Sequence, residues 1–181
     1  MSKIILLDRD EVINKSPSGK KYLLSSDELI LIDKNIKGLS FLADQGFKFI
    51  VITNQRCINL NLLSEQELNY IHIAIKTKLY DEFNIDILDF YFCPHLITEN
   101  CKCRKPRPGL VSQAIEDYGL SSDTLMIGDQ ITDCFAALGS GLYSMLIKNK
   151  FFDEELDLFE RHLGAYEDIF EAKDKILEIY S

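Results

Sequence analysis

Three short apolar runs, Ile4-Ile5-Leu6-Leu7, Phe49-Ile50-Val51-Ile52 and Leu125-Met126-Ile127, are each followed at once by polar residues. A run that is apolar at every position suits a strand buried on both faces, the condition found in parallel sheets covered by helices on either side. Such sheets bind ligands at the carboxyl ends of their strands. Asp8 and Asp10, Thr53 and Asn54, and Gly128 with Asp129 all fall there. Three distant stretches would therefore bring three carboxylates and a hydroxyl to one rim.

The segments between the runs read as helices. Over 35–44, Ile36, Leu39 and Leu42 share one face, and Gly46 stops the helix. Ser64 and Glu67 form a capping box. The helix it opens carries Leu68, Ile71, Ile75 and Leu79, and Asn84 ends it ahead of a further strand over 87–92. Pro108 and Gly109 open another helix, which runs to Tyr118 with Gly119 as its stop. Strand and helix alternate, so the expected class is α/β: a three-layer α/β/α sandwich around a mostly parallel sheet. With 181 residues and no repeat or low-complexity tract, a single domain over 1–181 is expected. Over 151–181 the chain is acidic and amphipathic, with Leu156, Phe159 and Leu163, then Ile169, Phe170, Ile176 and Leu177, set among charged residues. That pattern predicts a C-terminal helical segment packed on the domain, with a partner-binding helix as the alternative. Asp153-Glu154-Glu155 reads as its solvated start.

Asp8 and Asp10, spaced i and i+2, point the same way from an extended chain. Crowded like charges raise a carboxyl pKa unless a cation neutralises them, and magnesium would do so. One carboxylate can then attack phosphorus while its neighbour handles the leaving group's proton. A lone Asp-x-Asp after a strand is more often a turn or a helix cap. Four clusters in order, with Arg104-Lys105-Pro106 and Gly128-Asp129 plus Asp133 completing the set, shift the balance to phosphoryl chemistry.

Of the five cysteines, three lie with a histidine inside 93–103: Cys93, His95, Cys101 and Cys103. Three thiolates and one imidazole complete a tetrahedral zinc shell and leave no position for water, which marks a structural site in a small zinc-binding loop. A reduced cysteine cluster beside a solvated histidine is the alternative. Cys57 and Cys134 lack the surroundings of an activated thiol. His72 and His162, both in expected helices, read as surface or satisfied helical histidines.

The formal net charge of -9 disfavours nonspecific binding to nucleic acid or to a membrane surface. Lys102, Arg104, Lys105 and Arg107 still form a local basic patch, suited to receiving phosphate. The apolar runs are too short to span a bilayer, and the amino terminus lacks a signal-peptide pattern. A cytoplasmic monomer acting on a small molecule is therefore expected.

The four clusters resemble the motifs of the haloacid dehalogenase phosphatase superfamily, over roughly 4–148. Cys93-Pro94-His95 and Cys101-Lys102-Cys103, running into Arg104-Lys105-Pro106, are similar to its zinc-containing branch, which holds heptose bisphosphate and histidinol-phosphate phosphatases. Val12-Ile13-Asn14, Lys21-Tyr22 and Pro106-Arg107-Pro108-Gly109-Leu110 resemble the heptose enzymes more. The resemblance implies a Rossmann-like sheet, Asp8 as the nucleophile that forms an aspartyl-phosphate, and Asp10 as general acid and base. It implies Thr53 and Asn54 as phosphate-binding residues, Lys105 as the neutralising cation and Arg104 as a substrate grip. Catalytic magnesium would be held by Asp8, Asp129 and the main-chain carbonyl of Asp10, with Asp133 supporting them from behind, and zinc would be structural. The implied activity is removal of the 7-phosphate of D-glycero-D-manno-heptose 1,7-bisphosphate. Histidinol phosphate or another small phosphoester, and a non-catalytic zinc-stabilised scaffold, are the alternatives.

Two places depart from the family pattern. Glu11 stands where the resemblance implies glycine, which permits backbone angles that glutamate resists. Its charge must point away, meet a cation or weaken activity. The loop Arg56-Cys57-Ile58-Asn59-Leu60-Asn61 lacks the glycines usual in related enzymes, which bears on substrate fit.

Overall fold

A computed structural model of the chain describes residues 3–147, 156 and 158–180. The elements run β1 (Lys3–Leu7), α1 (Asp33–Asp44), β2 (Phe47–Asn54), α2 (Glu65–Phe83), β3 (Ile87–Cys93), α3 (Gly109–Tyr118), β4 (Leu125–Gly128), α4 (Ile131–Leu138), β5 (Tyr143–Ile147), β6 (His162–Tyr166) and α5 (Ile169–Ile179). The strands form one sheet in the order β3-β2-β1-β4-β5-β6, and every adjacent pair is parallel. The chain thus builds outward from β1 in one direction, then returns to build outward in the other. The crevice between the carboxyl ends of β1 and β4 is the switch point where such sheets take ligands.

Alternation along the strands divides the core in two. Ile5 and Leu7 of β1, Phe49 and Val51 of β2, and Leu125 and Ile127 of β4 face α1, α2 and α5. Ile4, Leu6, Ile50, Ile52 and Met126 face α3 and α4 on the other side. This is the three-layer arrangement, and it accounts for the unbroken apolar runs: successive side chains point to opposite faces, and both faces are dry.

The helix boundaries follow local chemistry. Ser64 accepts from the Glu67 N–H while the Glu67 carboxylate accepts from the Ser64 N–H, so the capping box of α2 is complete. Asn84, at φ 56°, closes the same helix in the left-handed conformation, and Gly119, at φ 60°, closes α3. Gly38 allows α1 to meet α5, since a Cβ there would lie 2.6 Å from backbone atoms of Ile169 and Phe170.

The C-terminal region differs from the expected helical segment over 151–181. His162–Tyr166, including the histidine read as helical, is an edge strand paired with β5. Gly164, at φ 90°, is incompatible with a continuing helix, and β5 offers an open sheet edge whose backbone groups need partners. The helical part is α5, capped by Asp168, which accepts from the Glu171 N–H. Ile169, Ala172 and Ile176 bury its apolar face in the core, so α5 is a packed cap. The Asp153-Glu154-Glu155 segment lies outside the described residues.

Candidate active site

The register of the sheet sets the position of Asp8. Leu7 pairs with Val51 on one side and Ile127 on the other, and the Asp8 N–H donates to the Ile127 carbonyl at 2.9 Å. Asp8 therefore emerges between the ends of β2 and β4. Lys105 enters from the loop before α3, and its Nζ lies 2.7 Å from Asp8 Oδ1, 2.7 Å from Asp133 Oδ1 and 2.6 Å from the Ile52 carbonyl. All three groups are buried. Although burial alone would favour neutral lysine, Asp133 and Asp8 outweigh it and keep Lys105 protonated.

Asp8, Asp129 and Asp133 place one oxygen each within 4.8 Å of one another. Burial pushes Asp8 well above the usual carboxylate range; Lys105 pulls it back, while Asp133, Asp129 and Asp10 push it further. Burial, then the charge on Asp133, raises Asp129 to about 6. One lysine cannot balance three crowded carboxylates, so the cluster fits a hard divalent cation bound through oxygen. Asp133 commits both oxygens to protein donors, Oδ1 to Lys105 and Oδ2 to the Gln130 N–H at 3.0 Å. Gly128 makes room for it, because a Cβ there would lie 2.2 Å from Asp133 Cβ.

Asp10 sits at the same rim, partly open to the cavity. Its Oδ1 accepts from Asn14 Nδ2 at 3.0 Å and its Oδ2 from Gln55 Nε2 at 2.8 Å, while Arg9 grips both oxygens. Burial pushes this carboxyl up, but Arg9 and the hydrogen bonds from Asn14, Arg9 and Gln55 prevail and hold it below its usual value. The same Gln55 amide donates to Thr53 Oγ1 at 2.8 Å, tying the acid rim to the end of β2. Asn54 clamps Lys105: its Nδ2 donates to the Lys105 carbonyl at 3.2 Å, and its Oδ1 accepts from the Lys105 N–H at 3.1 Å. Asn54 thus holds the lysine loop, and it also lines the cavity over the rim.

A cavity of about 760 Å³ opens over the rim, lined by Asp8, Asp10, Glu11, Thr53, Asn54, Lys105, Asp129 and Asp133 and by the cations Lys21, Arg56, Arg104 and Arg107. Its size suits a small molecule. Arg56 Nε donates to the Tyr22 hydroxyl at 2.8 Å, and Arg104 Nη1 donates to the His95 carbonyl at 3.3 Å. Arg107 is anchored on the carbonyls of Asn100 and Cys101. Glu11 does adopt the left-handed conformation, at φ 60°, where glycine was expected. Its Oε1 accepts from the Ser16 N–H at 2.7 Å and its own N–H donates to the Asn14 carbonyl at 2.7 Å, bonds that fasten the strained turn.

Beside the cavity, Cys93 Sγ, His95 Nδ1, Cys101 Sγ and Cys103 Sγ gather within 4.8 Å. The sulfur pairs stand 3.3 to 3.6 Å apart and His95 Nδ1 lies 3.2 Å from Cys103 Sγ. A tetrahedron with metal–sulfur bonds of about 2.3 Å has sulfur–sulfur edges of about 3.8 Å, so the four atoms could close around one ion with a small expansion. Gly109 lets α3 abut this loop, since a Cβ there would lie 2.4 Å from the Lys102 carbonyl oxygen.

The HAD-hydrolase-like family model matches residues 102–166. A D-glycero-beta-D-manno-heptose-1,7-bisphosphate 7-phosphatase of Neisseria meningitidis serogroup A is 33% identical over 132 residues, covering 72% of this chain and 69% of that protein. The chain belongs to the haloacid dehalogenase-like family of phosphatases. Within that family, a D-glycero-alpha-D-manno-heptose-1,7-bisphosphate 7-phosphatase of Photorhabdus laumondii is 32% identical over 148 residues, covering 77% of this chain and 79% of that protein. The crystal structure of a B. bronchiseptica D,D-heptose 1,7-bisphosphate phosphatase complexed with magnesium and phosphate superimposes with a TM-score of 0.83 at 25% identity, covering 97% of this chain and 98% of that one.

For this member of the family, sequence reasoning missed the residues behind the rim. Gln55 and Asn14, both buried, bond Asp10 directly. Their adjacency to Thr53-Asn54 and to the Asp8-Arg9-Asp10 cluster was the available signal. His72, read as a surface or satisfied helical histidine, is the satisfied kind: it is buried in α2 with its Nε2 3.4 Å from Arg9 Nη1. Of the basic patch, Arg104, Lys105 and Arg107 line the cavity, whereas Lys102 is exposed outside it.

Proposed function

We propose that this phosphatase removes the 7-phosphate of D-glycero-D-manno-heptose 1,7-bisphosphate in a magnesium-dependent reaction, with Asp8 as the nucleophile. The observation that carries it is the buried Lys105 ammonium 2.7 Å from Asp8 at the switch point, with Asp129 and Asp133 crowded beside it. That arrangement holds an attacking oxygen and a countercharge at the place where a transferring phosphoryl group must sit. Support for the sugar comes from the heptose bisphosphate phosphatases to which the chain is similar, and from the cations around the cavity, which suit a substrate carrying two phosphates.

In this scheme an Asp8 carboxylate oxygen forms a bond to phosphorus as the bond from phosphorus to the sugar oxygen breaks. Asp10, ionised before substrate arrives, takes up a proton as the anionic substrate binds and gives it to that leaving oxygen. A water then loses a proton to Asp10 and attacks phosphorus, releasing the Asp8 carboxylate and inorganic phosphate. Lys105 offsets charge on Asp8 and on the phosphoryl oxygens, and Arg104 holds the substrate. Thr53 contacts the phosphoryl group, and Asn54 keeps the lysine loop in place. Magnesium, held by Asp8, Asp129 and the main-chain carbonyl of Asp10, would neutralise the transferring group when bound. Asp133 supports the site through Lys105.

The Cys93, His95, Cys101 and Cys103 cluster is read as a structural zinc site, closed to water, whose loop carries Arg104 into the cavity. In this reading the protein works as a cytoplasmic monomer; among the described residues no helix is long and apolar enough to cross a membrane. The test is magnesium-dependent phosphate release from both anomers of the heptose bisphosphate and from histidinol phosphate in parallel. The heptose esters should be preferred, and Asp8→Asn should lower turnover by about a thousandfold or more while the protein stays folded. Preference for histidinol phosphate would reassign the substrate, and magnesium-dependent turnover by Asp8→Asn would remove the nucleophile.

A further inference from the structure

Arg9, the residue between the two aspartates, is fully buried, an unusual place for a guanidinium. It approaches Asp10 from behind the cavity wall: Nε donates to Oδ1 at 3.1 Å, and Nη2 donates to Oδ1 and Oδ2 at 2.9 Å each. The remaining nitrogen, Nη1, lies 3.4 Å from His72 Nε2. A guanidinium only donates and stays charged, so His72 must present an unprotonated Nε2 to it. Burial, reinforced by the Arg9 charge, drives the His72 imidazole down to about 3 and keeps the ring neutral.

The ring is also fixed in orientation. It stacks on Phe90 with centroids 4.3 Å apart and planes 13° apart, and Phe92 adds a tilted contact at 6.2 Å. His72 belongs to α2, and Phe90 and Phe92 to β3, so scaffold elements rather than loops place the acceptor. None of the steps above employs this pair. Burying a cation costs heavily unless acceptors surround it, and here the acceptors are one neutral ring and the carboxylate assigned to proton transfer.

We propose that Arg9 and His72 are positioning residues for proton transfer: His72 fixes the guanidinium, and the guanidinium aims the Asp10 carboxyl at the leaving-group oxygen. This role rests on Asp10 being the acid and base. Neither Arg9 nor His72 exchanges a proton; the proton passes from Asp10 to the sugar oxygen as its bond to phosphorus breaks. Aim matters because a misplacement of about 1 Å can cost on the order of a hundredfold in rate.

Leaving groups expose such a role. A sugar alkoxide needs the proton, whereas nitrophenolate departs with little help. His72→Phe keeps a ring to stack on Phe90 and removes the acceptor. Its kcat/KM for the heptose bisphosphate should fall about tenfold, with a several-fold smaller loss on p-nitrophenyl phosphate. KM for the sugar ester should stay within about twofold, and His72→Gln, which can return an acceptor, should recover most of the loss. Equal losses on both esters, or no loss on either, would overturn the proposal. Should His72→Phe not fold, Arg9→Lys keeps the charge without the two-pronged grip; selective loss on the sugar ester is expected, and equal loss on both overturns the pair. Asp10→Asn separates the two layers of inference. If it abolishes sugar-ester turnover while His72→Phe is unselective, the positioning pair alone is wrong. If Asp10→Asn keeps full sugar-ester turnover, the acid/base assignment fails and takes the pair with it.

Discussion

The phosphoryl rim and the Cys/His loop are both clusters of ionisable side chains, yet they are assembled in opposite ways. Asp8 and Lys105 meet across 97 residues, and the rim draws on the ends of β1 and β4, the start of α4 and the loop before α3. Cys93 and Cys103 are ten residues apart, and the loop they close is half exposed except at Cys93. Sheet register and a buried lysine hold the rim. Beyond Cys93 the loop has no strand ladder; Arg104 on the His95 carbonyl, Arg107 on the carbonyls of Asn100 and Cys101, and the Gly109 N–H on the Lys102 carbonyl tie its backbone around three thiols and an imidazole. Burial pushes the Cys93 thiol up to about 12; Cys101 is down at about 7 because hydrogen bonds from its neighbours outweigh burial, an uneven set that a metal would convert to thiolates. Long-range order assembles the rim, whereas the loop gathers its donors within one short stretch of chain.

Breaking the rim should have the largest effect. Lys105→Met leaves Asp8 and Asp133 buried and facing each other, which should cost roughly 3–5 kcal/mol of stability. Phosphate release should fall by more than about a hundredfold. Urea denaturation beside the turnover assay checks both; unchanged stability would mean that the rim is not held by its lysine.

Breaking the loop should cost less. Cys101→Ser removes one donor and should lower the melting temperature by about 5 °C and turnover by about tenfold, through disorder around Arg104 and Lys105. Chelation of the unmutated protein should do the same, with recovery on adding zinc but not magnesium. A chelated protein that loses its zinc yet melts and turns over as before would leave the loop with no structural ion.

The smallest effect is expected at Glu11, which couples rim strain to cavity charge. Glu11→Gly relieves a residue held at φ 60° and removes the carboxylate that accepts from Ser16, so stability should change by about 1 kcal/mol or less. With a negative charge gone from the cavity wall, KM for an anionic substrate should fall about twofold to threefold. Measured KM at low ionic strength decides it, and a rise would show that the carboxylate assists binding.

Much of this contrast was legible beforehand. The apolar runs announced three of the six strands and the 87–92 segment a fourth, the capping box announced α2, and the spacing within 93–103 announced a Cys/His cluster. The sixth strand was not legible, because Leu156, Phe159 and Leu163 fit a helical spacing and nothing local says that β5 has an edge to pair. Asn54 was read by position alone; only the fold shows its amide turned onto both backbone groups of Lys105.

What the sequence determined by itself was where backbone elements start and stop and which strand ends carry acid, since hydrogen-bond caps and burial periodicity act over a few residues. The tertiary structure alone decided how the polar groups are shared. His72 reaches Arg9 across 63 residues and Gln55 reaches Asp10 across 45. A buried donor takes whichever acceptor the packing of helix on sheet brings to it, and that choice follows from the packed elements rather than from spacing along the chain.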